Sequence, residues 1–329
     1  MGQRAARAPL VSIQDLGTLG GAFSQAKAVN RQGHVVGTSQ DALGRSRAFV
    51  WKEGAGIADV GASIGVSSSA NDISERDEIV GGADTGFGAF HAYLCSEGMT
   101  FDLGTLGGDE SEALALNRLG QVVGHSRTRG GPAKHAFFVP EAGRLLDLGS
   151  LGGDGAMSVA HDLNDQGCVV GLAETGAGHP HAFLWTAARG MRDLGGIGTA
   201  SSMALGVNNP GDIVGGSGRA FLWTERDGMV DLGTLEGGGP TSCANDINDL
   251  GCIVGVSQLG ATDQRGRAVT HAFLRTPEGT MVDLGTLGGE HSAAVAISQE
   301  QDGSVWIAGH SHDQTGAVRA VRWSVRLSP

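Results

Sequence analysis

Short apolar runs of five to seven residues, broken by glycine and polar turns, recur along the whole chain and predict β-strands rather than helices. One stretch shows the pattern. Ser111 to Asn117 leads through the turn Arg118-Leu119-Gly120 into Gln121 to Ser126, a polar loop precedes His135-Ala136-Phe137-Phe138-Val139, and Leu145 to Gly149 completes the set. The set then repeats. Asp-Leu-Gly or a close variant begins at Asp15, Asp59, Asp102, Asp147, Asp193, Asp231 and Asp283, with successive spacings of 44, 43, 45, 46, 38 and 52. A second motif, His/Arg-Ala-Phe-x-Trp and its variants, begins at Arg47, His91, His135, His181, Arg219, His271 and Arg319. A third ends at Gly37, Gly81, Gly124, Gly171, Gly215 and Gly255, with Ile307-Ala308-Gly309 as its seventh copy.

Four strands every ~45 residues is the spacing of β-propeller blades, and it predicts an all-β, seven-bladed β-propeller of four-stranded blades. The ends fit this reading. Val11 to Gly17 reads as a fourth strand lacking its first three, and Arg319 to Trp323 as a third strand lacking a fourth. The last blade is then closed by the N-terminal strand, which removes two open sheet edges. The expected organisation is a flexible N-terminus at 1–10 and a single propeller domain at 11–325.

His-Ala-Phe-Leu-Trp at 181–185, Asp-Leu-Gly-Thr-Leu-Gly-Gly at 102–108 and the stretch Ala28 to Gly37 resemble the bacterial HAF-repeat family over residues 11–323. The resemblance implies the repeat. It carries no agreed activity and transfers no catalytic residue.

Composition narrows the classes. With 57 glycines but 8 prolines and no strict triplet period, the chain is not collagen. No apolar run reaches membrane-spanning length. The net charge of −12 disfavours a general nucleic-acid binder, which needs a basic face for phosphates. Cys95, Cys168, Cys243 and Cys252 show no metal-finger or CxxC spacing, and Met1 to Leu10 carries Arg4 and Arg7 without a following apolar segment. Reduced thiols in a cytoplasmic protein are therefore expected, or a secreted one if a leader had been removed.

The His or Arg opening each third strand and the Asp closing each fourth should face each other across a hairpin, with Arg319 meeting Asp15 across the closure. A serine also recurs, two residues before each repeat's alanine, at 24, 68, 111, 158, 202, 242 and 292. Asp, His and Ser suggest a nucleophilic triad. However, a triad is needed once, and Arg, which cannot act as a neutral base, replaces His in three repeats. The trio is expected to be structural, and function should lie where the repeats differ.

Blade seven differs most. Its first strand enters through Glu290-His291 and its second leaves through His310-Ser311-His312-Asp313, so antiparallel pairing should gather three imidazoles and two carboxylates. Glu290, His291, His310, His312 and Asp313 are thus the candidate acid–base residues, and His291, His310 and His312 would hold a divalent metal ion if one binds. His125, with Asp109-Glu110 beside it, occupies the corresponding place in blade three and is a further candidate catalytic residue. Arg127, Arg129 and Lys134 line that blade's outer loop. Blades two, four and six carry Asp72, Asp162 and Asp246 at one aligned first-strand position, preceded by Asn71, His161 and Asn245. These carboxylates should approach the axis, each bonded to amides of its own blade. Blade six has a long loop, Ser257 to Thr270, and blade five almost none.

Two function classes follow. One is a small-molecule enzyme of lyase, cyclase, isomerase or hydrolase type, using His and carboxylates at the loop face. The other is a non-catalytic protein- or glycan-binding scaffold. No membrane or nucleic-acid partner is expected, and no phosphate loop, GxSxG or HExxH motif is present.

Overall fold

A computed structural model describes residues 10–61, 65–140, 143–198 and 201–327. Among them there is no α-helix, and no helix long and apolar enough to cross a membrane. The described residues are all-β and β-propeller-like, with 28 strands among them joined into four-stranded antiparallel sets. We number these as units one (20–59), two (68–104), three (107–147), four (158–195), five (203–233), six (238–283) and seven (288–326 with 10–15). Units two and three share one parallel bridge, Glu110 to Phe90, so they form a continuous eight-stranded sheet.

Leu10–Asp15 pairs antiparallel with Val318–Arg326, in register from Leu10 opposite Arg326 to Asp15 opposite Val321. Leu10 thus belongs to this strand rather than to a flexible N-terminus; residues 1–9 lie outside the described residues. The first strand of each unit lies against those of the units on either side, and Gly288–Ile297 of unit seven lies against Gly20–Val29 of unit one. Every first strand carries a register shift, as between Ala113 and Ala115, which turns the bulged residue and its neighbour toward the centre.

The core sits between units. The Phe of each repeated motif is fully buried in units one, three, four, five and six (Phe49, Phe137, Phe183, Phe221, Phe273), with Tyr93 in its place in unit two. The small glycine of the Val-Val-Gly motif is required there. A Cβ on Gly124 would lie 2.0 Å from the Glu112 carbonyl oxygen. Trp51, Trp185, Trp223 and Trp323 are buried core residues, as their third-strand positions predict.

Candidate functional site

The repeated trio is bracing. In all seven copies the Asp Oδ1 accepts the N–H two residues on, from Asp15 with Gly17 to Asp283 with Gly285, at 2.7–2.8 Å. In six of these the turn glycine sits at φ between 68° and 78°, where a side chain is strained. His91, His135, His181 and His271 place Nδ1 2.8–3.0 Å from Asp102, Asp147, Asp193 and Asp283. Arg47 reaches Asp59 at 3.0 Å, and Arg219 stands 3.8 Å from Asp231. The seventh pairing differs from the sequence expectation. Arg319 bonds Asp313, in the turn after the second strand, at 3.3 Å, although Asp15 stands opposite Val321 just as Asp59 stands opposite Phe49.

Each recurring serine ties two units together. Its Oγ accepts the alanine N–H of the preceding unit's third strand in all seven copies, from Ala48 to Ser68 through Ala320 to Ser24, at 2.8–3.0 Å. The same hydroxyl donates to the turn-glycine carbonyl, as Ser24 does to Gly17 at 2.7 Å.

The rim of unit seven is only partly assembled. His291 and His312 come together, ring centroids 4.9 Å apart and edge-on. His310 turns away, its Nδ1 accepting from Gln25 Nε2 of unit one at 3.0 Å, and burial with Lys27 nearby pushes its pKa down to about 4. Glu290 is exposed. Asp313 is spent on its own turn, accepting from the Thr315 hydroxyl and the Thr315 and Ala317 amides, the hydroxyl doing most to hold its pKa near 2. Among the described residues no three of His, Cys, Asp and Glu are grouped to hold a metal ion.

His291 instead bolts down the long loop of unit six. Its Nδ1 accepts the Thr270 N–H at 3.3 Å, which leaves the proton on Nε2 to face Asp263 at 3.2 Å. Burial pushes the Asp263 carboxyl up, but the Arg267 amide, its guanidinium and His291 outweigh this and hold it well below the usual carboxylate range. His312 is lowered by burial and then by His291. Asp263 and Thr270 are the partners that motif spacing did not connect to blade seven.

His125 lies opposite Glu112 in register, and its Nδ1 is buried without a partner among the described residues. The position that Gln25 fills beside His310 is occupied after His125 by Val159, which offers no hydrogen bond. Burial lowers the pKa of His125. Arg127 and Lys134 both close on Glu110, so they are internal ion pairs and not open anion anchors.

The concave polar site is central. A chamber of about 390 Å³ is lined by all seven first strands. Asn71 and Asp72, His161 and Asp162, and Asn245 and Asp246 come from even-numbered units; Leu114, Leu205 and Val295 alternate with them; Lys27 comes from unit one. Burial pushes Asp72 and Asp162 up to about 7. Asp246 rises well above its ordinary value, from burial and then Asp162. Burial also lowers His161, whose Nδ1 donates to the Ala204 carbonyl and leaves Nε2 as an acceptor. Toward the first-to-second turns the space narrows, where Asn117, Asn164, Asn208 and Asn248 each donate Nδ2 to the next unit's carbonyl. The aligned Asp residues pointed to this chamber. The Asn of the turn motif, also legible in sequence, was the missed signal.

No family model matches the chain, and no curated protein matches it. Among solved structures it is similar to a gluconolactonase from Xanthomonas campestris, with TM-score 0.46 and 12% identity over 96% of this chain and 90% of the other. It is also similar to a protein of unknown function from Dyadobacter fermentans, with TM-score 0.44 and 9% identity over 96% and 99%. TolB from Acinetobacter baumannii matches with TM-score 0.38 and 9% identity over 89% and 63%. No residue role is carried across at this level of likeness.

Proposed function

We propose that the chain is a seven-bladed β-propeller closed by its N-terminal strand, and that its central chamber binds a small polar molecule for acid–base chemistry of the hydrolase type. Closure is supported by the pairing of Leu10–Asp15 with Val318–Arg326 and by the Ser24 hydroxyl, which repeats at the seam the tie made at the other six junctions. The functional reading rests on one observation: two carboxyls that burial raises to about 7 line a central cavity together with an imidazole that burial keeps neutral. A carboxyl near 7 gives up and regains a proton at working pH, and His161 Nε2 supplies an acceptor. Convergent polar groups in a concave, partly apolar cavity are the usual make-up of a small-molecule site.

The test is a thermal-shift screen of small polar compounds, followed by hydrolysis assays on lactones and esters. A hit should lose its shift and turnover in Asp162→Asn and in His161→Gln. Absence of any hit, or hits indifferent to both variants, would overturn the chamber as the site.

A second reading, a non-catalytic binder of protein or glycan, has its own support. Phe87 and Leu43, at neighbouring hairpin tips of units two and one, are 96% and 76% exposed. Binding lost in Phe87→Ser and retained in Asp162→Asn would favour it.

A further inference from the structure

The chamber holds charges of both signs that do not meet. Asp162 and Asp246 line both the chamber and the narrower space beyond it, so the level of the three Asp residues is the chamber's narrow end. Lys27 lines the chamber only, and in the aligned first strands it lies one residue before that level. Its charge acts in the other direction, on the buried His310 ring, which pairs with Ala293, two residues before Val295 at the level of Lys27. Lys27 makes no hydrogen bond or ion pair with any described residue.

Each carboxyl is fixed by two main-chain N–H groups, one per oxygen. Asp72 accepts from Ile73 of its own unit at 2.8 Å and from Leu116 of unit three at 2.9 Å. Asp162 accepts from Leu163 and from Val207 of unit five, at 2.8 and 2.7 Å. Asp246 accepts from Ile247 and from Ile297 of unit seven, at 2.7 and 2.8 Å. The sequence suggested own-blade amides alone; the second bond, to the next unit, joins neighbouring first strands. Such bonds favour the ionised form against burial, and each oxygen keeps a lone pair for a further donor.

The rest of the wall is short of donors. Asn71, His161 and Asn245 spend an N–H on the Ala113, Ala204 and Ala294 carbonyls, at 2.8, 2.9 and 2.7 Å, which leaves Oδ1 or Nε2 as an acceptor. Leu114, Leu205 and Val295 of the odd-numbered units supply apolar surface between them. A neutral polyol would satisfy the acceptors and leave Lys27 without a counter-charge. A plain amine would do the same, and a plain acid would leave three carboxylates facing no cation. A molecule with a cation at one end and an anion at the other answers both ends of the chamber.

We propose that the chamber takes a small zwitterionic amino acid, its ammonium at the level of the Asp residues and its carboxylate on Lys27. The ammonium donates to the free lone pairs of the carboxylates and to His161 Nε2, and the carboxylate accepts from Lys27 Nζ. The carbon skeleton lies against Leu114, Leu205 and Val295. This ligand class rests on the chamber being a small-molecule site and deepens that reading.

Isothermal titration calorimetry on the full chain tests it with matched probes at pH 8, where Asp72 and Asp162 are ionised. L-Leucine carries both charges, 3-methylbutylamine keeps only its cation and 4-methylpentanoate only its anion. Leucine should bind on the order of ten-fold tighter than either, because each end adds a charge-assisted hydrogen bond. Lys27→Met should weaken leucine by about the same factor and leave the amine unweakened. Leucine no tighter than the one-charge probes, or unmoved by Lys27→Met, would overturn the assignment. Xylitol is the neutral control. Xylitol binding that is lost in Asp162→Asn, with leucine silent, would overturn the zwitterion and leave the chamber as the site; silence from all four probes would count against the site as well.

Discussion

The Arg322 guanidinium lies 4.0 Å over the Trp306 ring, inside the seam where the end of the chain meets its beginning. Trp51 covers the other face at 4.5 Å, and the guanidinium donates to Gln14 of the N-terminal strand, to the Gly33 carbonyl and to Glu53. Gly33 permits this approach: at φ 77°, a Cβ there would stand 2.7 Å from the Arg322 Nη1. Arg322→Ala should cost about 3 kcal/mol of stability, because two cation–π contacts and three hydrogen bonds go together. Arg322→Lys should recover little of it, since a point ammonium cannot fill a flat slot between two indoles. Urea denaturation of the two variants checks both.

Truncation to residue 17 removes the strand that covers Val318–Arg326 and leaves its edge open. Aggregation of the truncated protein, followed by light scattering, is the expected outcome. A soluble variant of equal melting temperature would count against the closure.

The serine tie should be expensive to lose in any unit. Ser111→Ala strands the buried Ala92 N–H and the part-buried Gly104 carbonyl, and should destabilise by about 2 kcal/mol in chemical denaturation. Ser24→Ala makes the same loss at the seam.

At the unit-seven rim the residues separate by role. His291→Ala unlatches the unit-six loop, costing about 1–2 kcal/mol, and should raise exchange in residues 259–269. Glu290→Ala, at an exposed position, should change stability by less than about 0.5 kcal/mol.

The central carboxyls also set a pH dependence with a definite sign. Asp72 has its folded pKa raised to about 7 from 3.8. Between those values the unfolded chain has lost a proton that the folded chain keeps, so stability falls as pH rises through the window. Asp72→Asn cannot ionise. It should therefore be the less stable protein near pH 4, having lost a hydrogen bond, and gain on the native protein by a few kcal/mol toward pH 8, on the order expected for a shift of this size. Melting curves across pH 4–8 would show the two lines converging; parallel lines would contradict the assignment.

How far the sequence reached depended on whether a residue's partner lies at a fixed repeat distance. The Asp-Leu-Gly turn, the His/Arg–Asp pairs and the serine could all be read in advance, because each is satisfied within its unit or by the next copy of the same motif. Arg319 broke that rule, because a nearer carboxylate, Asp313, stands outside the repeat. His310 shows the same competition. Its strand position was legible, but Gln25 of unit one, 285 residues away, took its ring nitrogen.

By itself the sequence determined the strands, their grouping in fours and the structural character of the shared polar residues, since seven copies of one local chemistry over-specify a single answer. Only the tertiary structure decided that the rim histidines are divided among neighbours and that Asp72, Asp162 and Asp246 each bond an amide of the next unit. Which side chain wins a hydrogen bond, and whether a carboxyl is cut off from water, depend on distances between units, and alternation along a strand does not encode them.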